Sequence, residues 1–320
     1  MLKLAMSDYA ACAIDDLAQL WCWGDGERGL LGYGNAESVG EYQAPAAVGP
    51  VPLDGDVIDV SVGNSNVCVV LRGGGVRCWG EYSAGVLGIE GGVPGAPFPG
   101  FPSGPTIGDD EAVTSIPVLN FGEPISQVST GSGRACAIAE SGRAYCWGSD
   151  IGGALGYGSG PGPDGNCSRS DYGIALGDDE PVNAMGPLEL EARAVSLALG
   201  AYATCVLLEG GAVRCWGANT DEAPLGIGFT RRDDLSGGAF PCEDHVIELN
   251  AATVPNIRLL RPAVGLSASN LGYSALLDNG AVQYWGTGST GLGPLRRQNG
   301  VGDDEHPADV GVVYYVGGEP

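Results

Sequence analysis

The sequence predicts an all-β fold, a β-propeller of four-stranded blades, and three observations carry that prediction. The dipeptide Trp-Gly occurs five times, at Trp23, Trp79, Trp147, Trp216 and Trp285, at intervals of 56, 68, 69 and 69 residues. Glycine supplies 56 of the 320 residues while 44% of the chain is apolar, a combination that fits many tight turns between short buried strands rather than a disordered chain. Apolar residues alternate with period two over short segments, and no segment follows the helical period. Each glycine inside a helix costs about 1 kcal/mol against alanine, which excludes a bundle of long helices.

Each of the five units has the same parts in the same order. An alternating segment comes first, as in Val57 to Gly63, Ile125 to Gly131 and Ala194 to Gly200, with degenerate copies at Leu2 to Ser7 and Val264 to Ser269. A hairpin follows: Cys68-Val69-Val70-Leu71, a turn through Gly73-Gly74-Gly75, then Val76-Arg77-Cys78-Trp79-Gly80. Short loops with glycine in the left-handed region are common hairpin closures. A Leu-Gly turn comes next, at Leu31, Leu87, Leu155, Leu225 and Leu292. Three units then carry Gly-Asp-Asp-Glu, starting at Gly108, Gly177 and Gly302. Several short strands per unit with no helical periodicity are the mark of propeller blades, which bury their faces only against neighbouring blades. The whole of 1–320 is therefore expected to be one domain. Its ends are in phase, so a closed ring whose first and last strands share a blade is expected; an arc of a longer, seven-bladed array is the alternative.

Eight cysteines form four pairs of equal spacing: Cys12 with Cys22, Cys68 with Cys78, Cys136 with Cys146, and Cys205 with Cys215. A three-residue turn places the two members opposite each other across the hairpin, where a disulfide needs the closer kind of antiparallel pair. The fifth unit has Ser274 and Tyr284 at these positions, so both cysteines are lost together. Cys167 and Cys242 lie in long insertions of consecutive units and form the candidate fifth pair. Their pairing predicts an oxidising compartment, hence an extracytoplasmic or secreted protein. The residues Met1 to Asp8 lack the apolar core of a secretory leader. No Cys-x2-4-Cys zinc spacing occurs.

The chain carries 15 Lys+Arg against 39 Asp+Glu, a net charge of −24. That excludes nucleic acid as a partner, because phosphate contacts need a basic surface. No run of 18 apolar residues provides a transmembrane helix. The acidic clusters at Asp109, Asp110, Asp178, Asp179, Asp303 and Asp304 are weak candidates for a calcium site. Their recurrence at one place in each unit favours turns whose carboxylates accept backbone N–H bonds. No cofactor is expected otherwise.

The order Cys-Ala-Ile, glycine turn, Cys-Trp-Gly, Gly-x-Leu-Gly, Gly-Asp-Asp-Glu resembles the regulator of chromosome condensation repeat. The resemblance runs the length of the chain and implies a propeller of four-stranded blades. The Cys-Trp-Gly hairpins and the single lysine, Lys3, suggest a bacterial member. The family's members usually have seven blades, and five units are present here. The resemblance does not identify an activity, because one fold hosts many functions.

The insertions Gly91 to Thr106, Ser159 to Gly173 and Gly228 to Asn256 are the expected recognition surface. They hold Phe98, Phe101, Tyr172, Arg231, Arg232, Phe240 and His245. The expected function is a non-enzymatic scaffold, a monomer, holding a protein or peptide through this loop face, with a basic partner favoured by the charge. One alternative is a hydrolase or peptide-tailoring enzyme sited in the funnel. Another is a calcium-stabilised carbohydrate-binding propeller. No catalytic residue is singled out.

Overall fold

A computed structural model describes residues 2–82, 84–89, 106–158, 175–178, 180–219, 225–228, 247–287, 301 and 306–312. The five repeats become five separate antiparallel sheets. The first holds β1 (Lys3–Met6), β2 (Ala10–Ile14) and β3 (Leu20–Gly24). The second holds β4 (Val57–Val62), β5 (Asn66–Leu71), β6 (Val76–Glu81) and β7 (Thr106–Ile107). The third holds β8 (Ile125–Gly131), β9 (Arg134–Ala139), β10 (Ala144–Ser149) and β11 (Ala175–Leu176). The fourth holds β12 (Ala194–Leu199), β13 (Ala203–Leu208), β14 (Val213–Asn219) and β15 (Ile247–Leu249), and the fifth β16 (Ala263–Ala268), β17 (Gly272–Leu277) and β18 (Val282–Gly286). The chain divides into two units, Met1–Asp150 with Ile174–Pro187, and Ile151–Gly173 with Leu188–Pro320. The first unit contains sheets one to three and the second contains sheets four and five.

The expected closed ring is corrected. Each sheet is assembled from consecutive chain, and among the described residues no strand joins the first sheet to the fifth. The inner position of the first sheet is filled by β1 itself, and its outer position by Val39, which bridges Gly24. The blades are also not uniformly four-stranded. Among the described residues sheets one and five have three strands, with isolated bridges from Val39 and Val301 marking the fourth position.

The alternating segments become the inner strands, and four of them carry an irregularity that periodicity does not reveal. β4, β8, β12 and β16 each slip by one residue against their neighbour, at Ile58, Ser126, Val195 and Val264. An extra residue of this kind bends a strand and increases its twist. At the slip Ile58, Val195 and Val264 are turned outward and exposed, while the next alternating residues return to the sheet face. Inner strands within the first unit are also tied by side chains. Asp59 on β4 is buried, accepts a 2.9 Å bond from the Val128 amide on β8, and pairs with Lys3 on β1.

The hairpin turns need glycine where the chain folds tightest. Gly74 has φ +85°, and a Cβ there would lie 2.5 Å from the Pro124 Cα of the next repeat. No L side chain satisfies both constraints.

The paired cysteines stand opposite one another in register and are bonded in all four hairpins. Cys12 is joined to Cys22 and Cys68 to Cys78, each with a Cα–Cα distance of 4.1 Å. Cys136 is joined to Cys146 and Cys205 to Cys215, each at 4.0 Å. That spacing belongs to the closer type of antiparallel pair. All eight are at most 1% exposed, so Cys22, Cys78, Cys146 and Cys215, like their partners, are internal crosslinks and offer no surface for recognition. Cys167 and Cys242, the fifth expected pair, lie outside the described residues. Each crosslink closes a loop with a sequence separation of 10, so the double substitution of Cys136→Ala with Cys146→Ala is expected to cost about 3 kcal/mol. Urea denaturation of the variant against the parent checks this; an unchanged midpoint would show that the bond does not constrain the unfolded chain.

A second anchor recurs one residue before the second cysteine. Arg77 is buried, and its Nη1 donates to the Val113 and Ile116 carbonyls at 3.0 and 2.6 Å while Nη2 pairs with Asp54 at 2.9 Å. Arg214 repeats the arrangement with the Ala251 carbonyl, Asn256 and Glu191. Gln283 donates to the Pro307 carbonyl and accepts from the Leu260 amide. Tyr145 uses its hydroxyl on Glu123 at 2.6 Å. The same register position therefore ties the long connector to its own blade with whichever polar side chain it holds.

Glu123 is the hub of the Tyr145 anchor. Burial alone would raise its carboxyl, but bonds from Ser141, Tyr145 and Arg143 and the Arg143 charge hold it below the ordinary carboxylate range. Burial, and then the bond to Glu123, push Tyr145 up to about 12. A depressed acid contributes stability that is present above its unfolded value and lost as pH falls through the folded one. The raised tyrosine contributes stability present below its unfolded value and lost as pH rises towards about 12. Glu123→Gln is therefore expected to flatten the acid-side decline of the melting temperature as pH falls below about 5. Parallel thermal melts across that range test it, and identical slopes would refute it.

Candidate partner-binding surface

The surface is built on the link between the third strand of a blade and its outer edge. In sheets two, three and four the chain leaves β6, β10 and β14 through the Leu-Gly turn and returns at β7, β11 and β15. The three insertions thus occupy the same connection in three blades. The outer strands to which they return are short, with two, two and three residues. Phe98, Phe101, Tyr172, Arg231, Arg232, Phe240 and His245 all lie outside the described residues. The third insertion is shorter than its sequence suggests. Its end from Ile247 forms β15, and Ala251 and Val254 are then buried, with the Ala251 carbonyl taken by Arg214.

The Leu-Gly turns that lead into the first two insertions are each bonded to the tryptophan of the following repeat, as is the corresponding turn of the first sheet, which carries no insertion. Trp79 Nε1 donates to the Leu30 carbonyl at 3.1 Å, Trp147 to Val86 at 2.9 Å, and Trp216 to Ala154 at 3.1 Å. Gly32 has φ +72°, and a Cβ there would come within 2.9 Å of Trp79 Nε1. Trp79, Trp147, Trp216 and Trp285 are all 0% exposed. A buried indole needs a partner for its N–H, and the turn carbonyl supplies it to the first three.

The Gly-Asp-Asp-Glu segments belong to the same seam. Glu111 accepts from the Gly108 amide at 3.1 Å, and the Gly108 carbonyl accepts from Gly34 in the preceding repeat. The carboxylates of Asp109, Asp110 and Glu111 lie within 4.8 Å of one another. Burial pushes Asp109 up, and the Glu111 and Asp110 charges add to it. For Glu111, burial alone would raise the carboxyl, but bonds from the Gly108, Glu111 and Asp110 amides lower it. The described cluster closes a turn on its own backbone. Asp178 is described and sits beside Gly85 in the next copy of this seam; Asp179, Asp303 and Asp304 lie outside the described residues.

Sequence reasoning missed two exposed aromatics at the turn between the first two strands of a blade. Tyr9 is 41% exposed and Tyr202 48% exposed. The Arg28 guanidinium sits 4.7 Å from the Tyr9 ring centroid, a cation–π contact. The signal available in the sequence was the repeat position itself, which holds Tyr9, Ser65, Gly133, Tyr202 and Leu271 in turn. Variation at a fixed turn marks surface rather than core.

Comparison with known proteins agrees with the repeat. Models of the regulator of chromosome condensation (RCC1) repeat match residues 18–70, 125–151 and 194–222. The RCC1 domain-containing protein RUG3, mitochondrial, of Arabidopsis thaliana is 28% identical over 305 residues, covering 93% of this chain and 57% of the relative. The chain thus spans little more than half of that protein. Human WBSCR16 shares the fold with a TM-score of 0.59 at 16% identity, over 95% of this chain and 65% of that one. Prp20p of Saccharomyces cerevisiae does so with a TM-score of 0.51 at 17% identity, over 95% and 76%.

These relatives overturn two expectations. They come from a plant, a human and a yeast, so the bacterial type read from the Cys-Trp-Gly hairpins is corrected. The extracytoplasmic or secreted location is corrected as well, since the Arabidopsis relative is named as mitochondrial. The bonds of Cys22, Cys78, Cys146 and Cys215 to their partners report which strands meet, and they carry no address. Over 93% of its length the chain is similar to a eukaryotic protein of the RCC1 repeat type.

Proposed function

We propose that this chain is a non-enzymatic scaffold that binds a protein partner through the insertions carried by sheets two, three and four. The observation that carries the reading is their shared position: three insertions occupy one connection of the blade, and the turns leading into the first two are bonded to a buried tryptophan of the next repeat. Recognition residues concentrate on loops held by such frames. The fold analogy supports it. The solved structure of Prp20p is described with its binding properties to Gsp1p and histones, and another shows Kap60 bound to yeast RCC1 (Prp20). A net charge of −24 favours a basic partner and speeds its capture at low salt.

The test replaces residues 91–105 with a short Gly-Ser link and compares capture of a basic protein, such as core histones, by the immobilised parent and variant. The expected result is at least about a 10-fold loss of affinity with an unchanged thermal melt, and weaker binding by the parent as salt rises. Equal capture by both proteins would remove the insertion face from the reading.

A further inference from the structure

Each of the four described crosslinks is sealed inside its own blade. The eight bonded cysteines are at most 1% exposed. The strands that carry the first member of each pair, β2, β5, β9 and β13, are buried along their whole length, and each lies between two other strands of its sheet. β10 and β14, which carry Cys146 and Cys215, are buried throughout as well. Across the sheet the register sets Ala5, Ser61, Ser129 and Ala198 beside Cys12, Cys68, Cys136 and Cys205. These flanking residues are small and uncharged, so none of them activates a thiol as a nearby cation would.

The bond is not what sets the strand pairing. In the fifth sheet Ser274 faces Tyr284 in the same register with no crosslink between them. The disulfides of the other four sheets therefore add a covalent lock to a pairing that the sheet already makes.

Opening such a lock takes two exchange steps. An external thiolate attacks one sulfur in line with the S–S bond; a new S–S bond forms, the old one breaks, and the second cysteine leaves as a thiolate that takes up a proton. A second external thiolate then attacks the mixed disulfide. With glutathione the products are two protein thiols and glutathione disulfide, and the two glutathione molecules supply both electrons. Neither step is open to a molecule of that size at a sulfur without exposed surface. We infer that the four hairpin crosslinks are closed to thiol exchange while the blades are packed, so that their redox state is fixed when the blades assemble and is held afterwards. Exchange proceeds only through local opening of a sheet, and core strands open least often. A thiol-rich medium around the folded chain then leaves the bonds in place, whatever its redox poise.

The experiment exposes the folded protein to reduced glutathione at neutral pH over a series of urea concentrations. Free thiols are trapped by alkylation and assigned to each cysteine by peptide mapping, so that Cys167 and Cys242 are read apart from the hairpin pairs. In buffer the hairpin cysteines are expected to be released at least about 100-fold more slowly than in the urea-unfolded chain, with the rate climbing as urea rises. In Trp147→Ala, which removes packing from the strand that carries Cys146, release of Cys136 and Cys146 should be at least about 10-fold faster than in the parent. The urea series on the parent needs no variant and stands by itself. Release in buffer at the rate of the unfolded chain overturns the inference, as does a rate that stays flat until the protein unfolds. Equal rates in Trp147→Ala and the parent overturn it as well, because opening would then not be what admits the thiol.

Discussion

Alanine at Trp147 is expected to cost about 4 kcal/mol of stability, the range found when a fully buried aromatic is truncated. The ring is 0% exposed, lies 5.2 Å from the Phe121 ring, and donates to the Val86 carbonyl at 2.9 Å. Truncation leaves a cavity at the blade seam and an unpaired carbonyl on the turn that carries an insertion. Trp147→Phe keeps most of the volume and loses only the bond, so about 1–2 kcal/mol is expected. Trp23→Ala is the internal comparison. The residue occupies the same repeat position, but its partial exposure predicts a clearly smaller loss. Denaturant titration of the three variants measures the order, and equal losses at 23 and 147 would refute the seam as the source of the effect.

Alanine at Arg77 is expected to cost about 2–4 kcal/mol, although no ion pair of consequence is broken. Its partner Asp54 is 55% exposed and returns to water without a large penalty. The cost comes from the Val113 and Ile116 carbonyls, which lose their only donor from this side chain, each orphaned group being worth about 1–3 kcal/mol. Arg77→Lys should recover only part of it, because an ammonium cannot reach both carbonyls and the carboxylate with a planar fork. Asp54→Asn should be nearly neutral. A double-mutant cycle over Arg77 and Asp54 decides the point; a coupling that accounts for the whole loss would place the energy in the ion pair instead.

Much of the blade was legible in the sequence. The segments Val57 to Gly63 and Ile125 to Gly131 become β4 and β8 almost residue for residue, because alternation reports a strand with one face against a neighbour. The turn length set Cys12 opposite Cys22, Cys136 opposite Cys146 and Cys205 opposite Cys215, and Ser274 faces Tyr284 in the same register. The candidate recognition residues were legible only as loop composition, since insertions obey no repeat and their side chains have no period to read.

Other features had no local signal. The slips at Ile58, Ser126, Val195 and Val264 interrupt an alternation that looks regular in the sequence. The Arg77 anchor reaches carbonyls 36 and 39 residues away, through an irregular connector that no pattern locates. The cluster from Asp109 to Glu111 reads equally as a ligand set or a turn closure, because the deciding partners are backbone amides such as that of Gly108, which every sequence has.

Period, hairpin, turn chemistry and cysteine pairing were determined by the sequence alone, since each depends on residues within about one blade of each other. Which turn seats which tryptophan, and which strands each sheet is built from, were decided only in the tertiary structure. Those outcomes depend on contacts such as Trp79 with Leu30, 49 residues apart, where each blade's burial is set by its neighbour and a repeat unit carries no record of whether it has one.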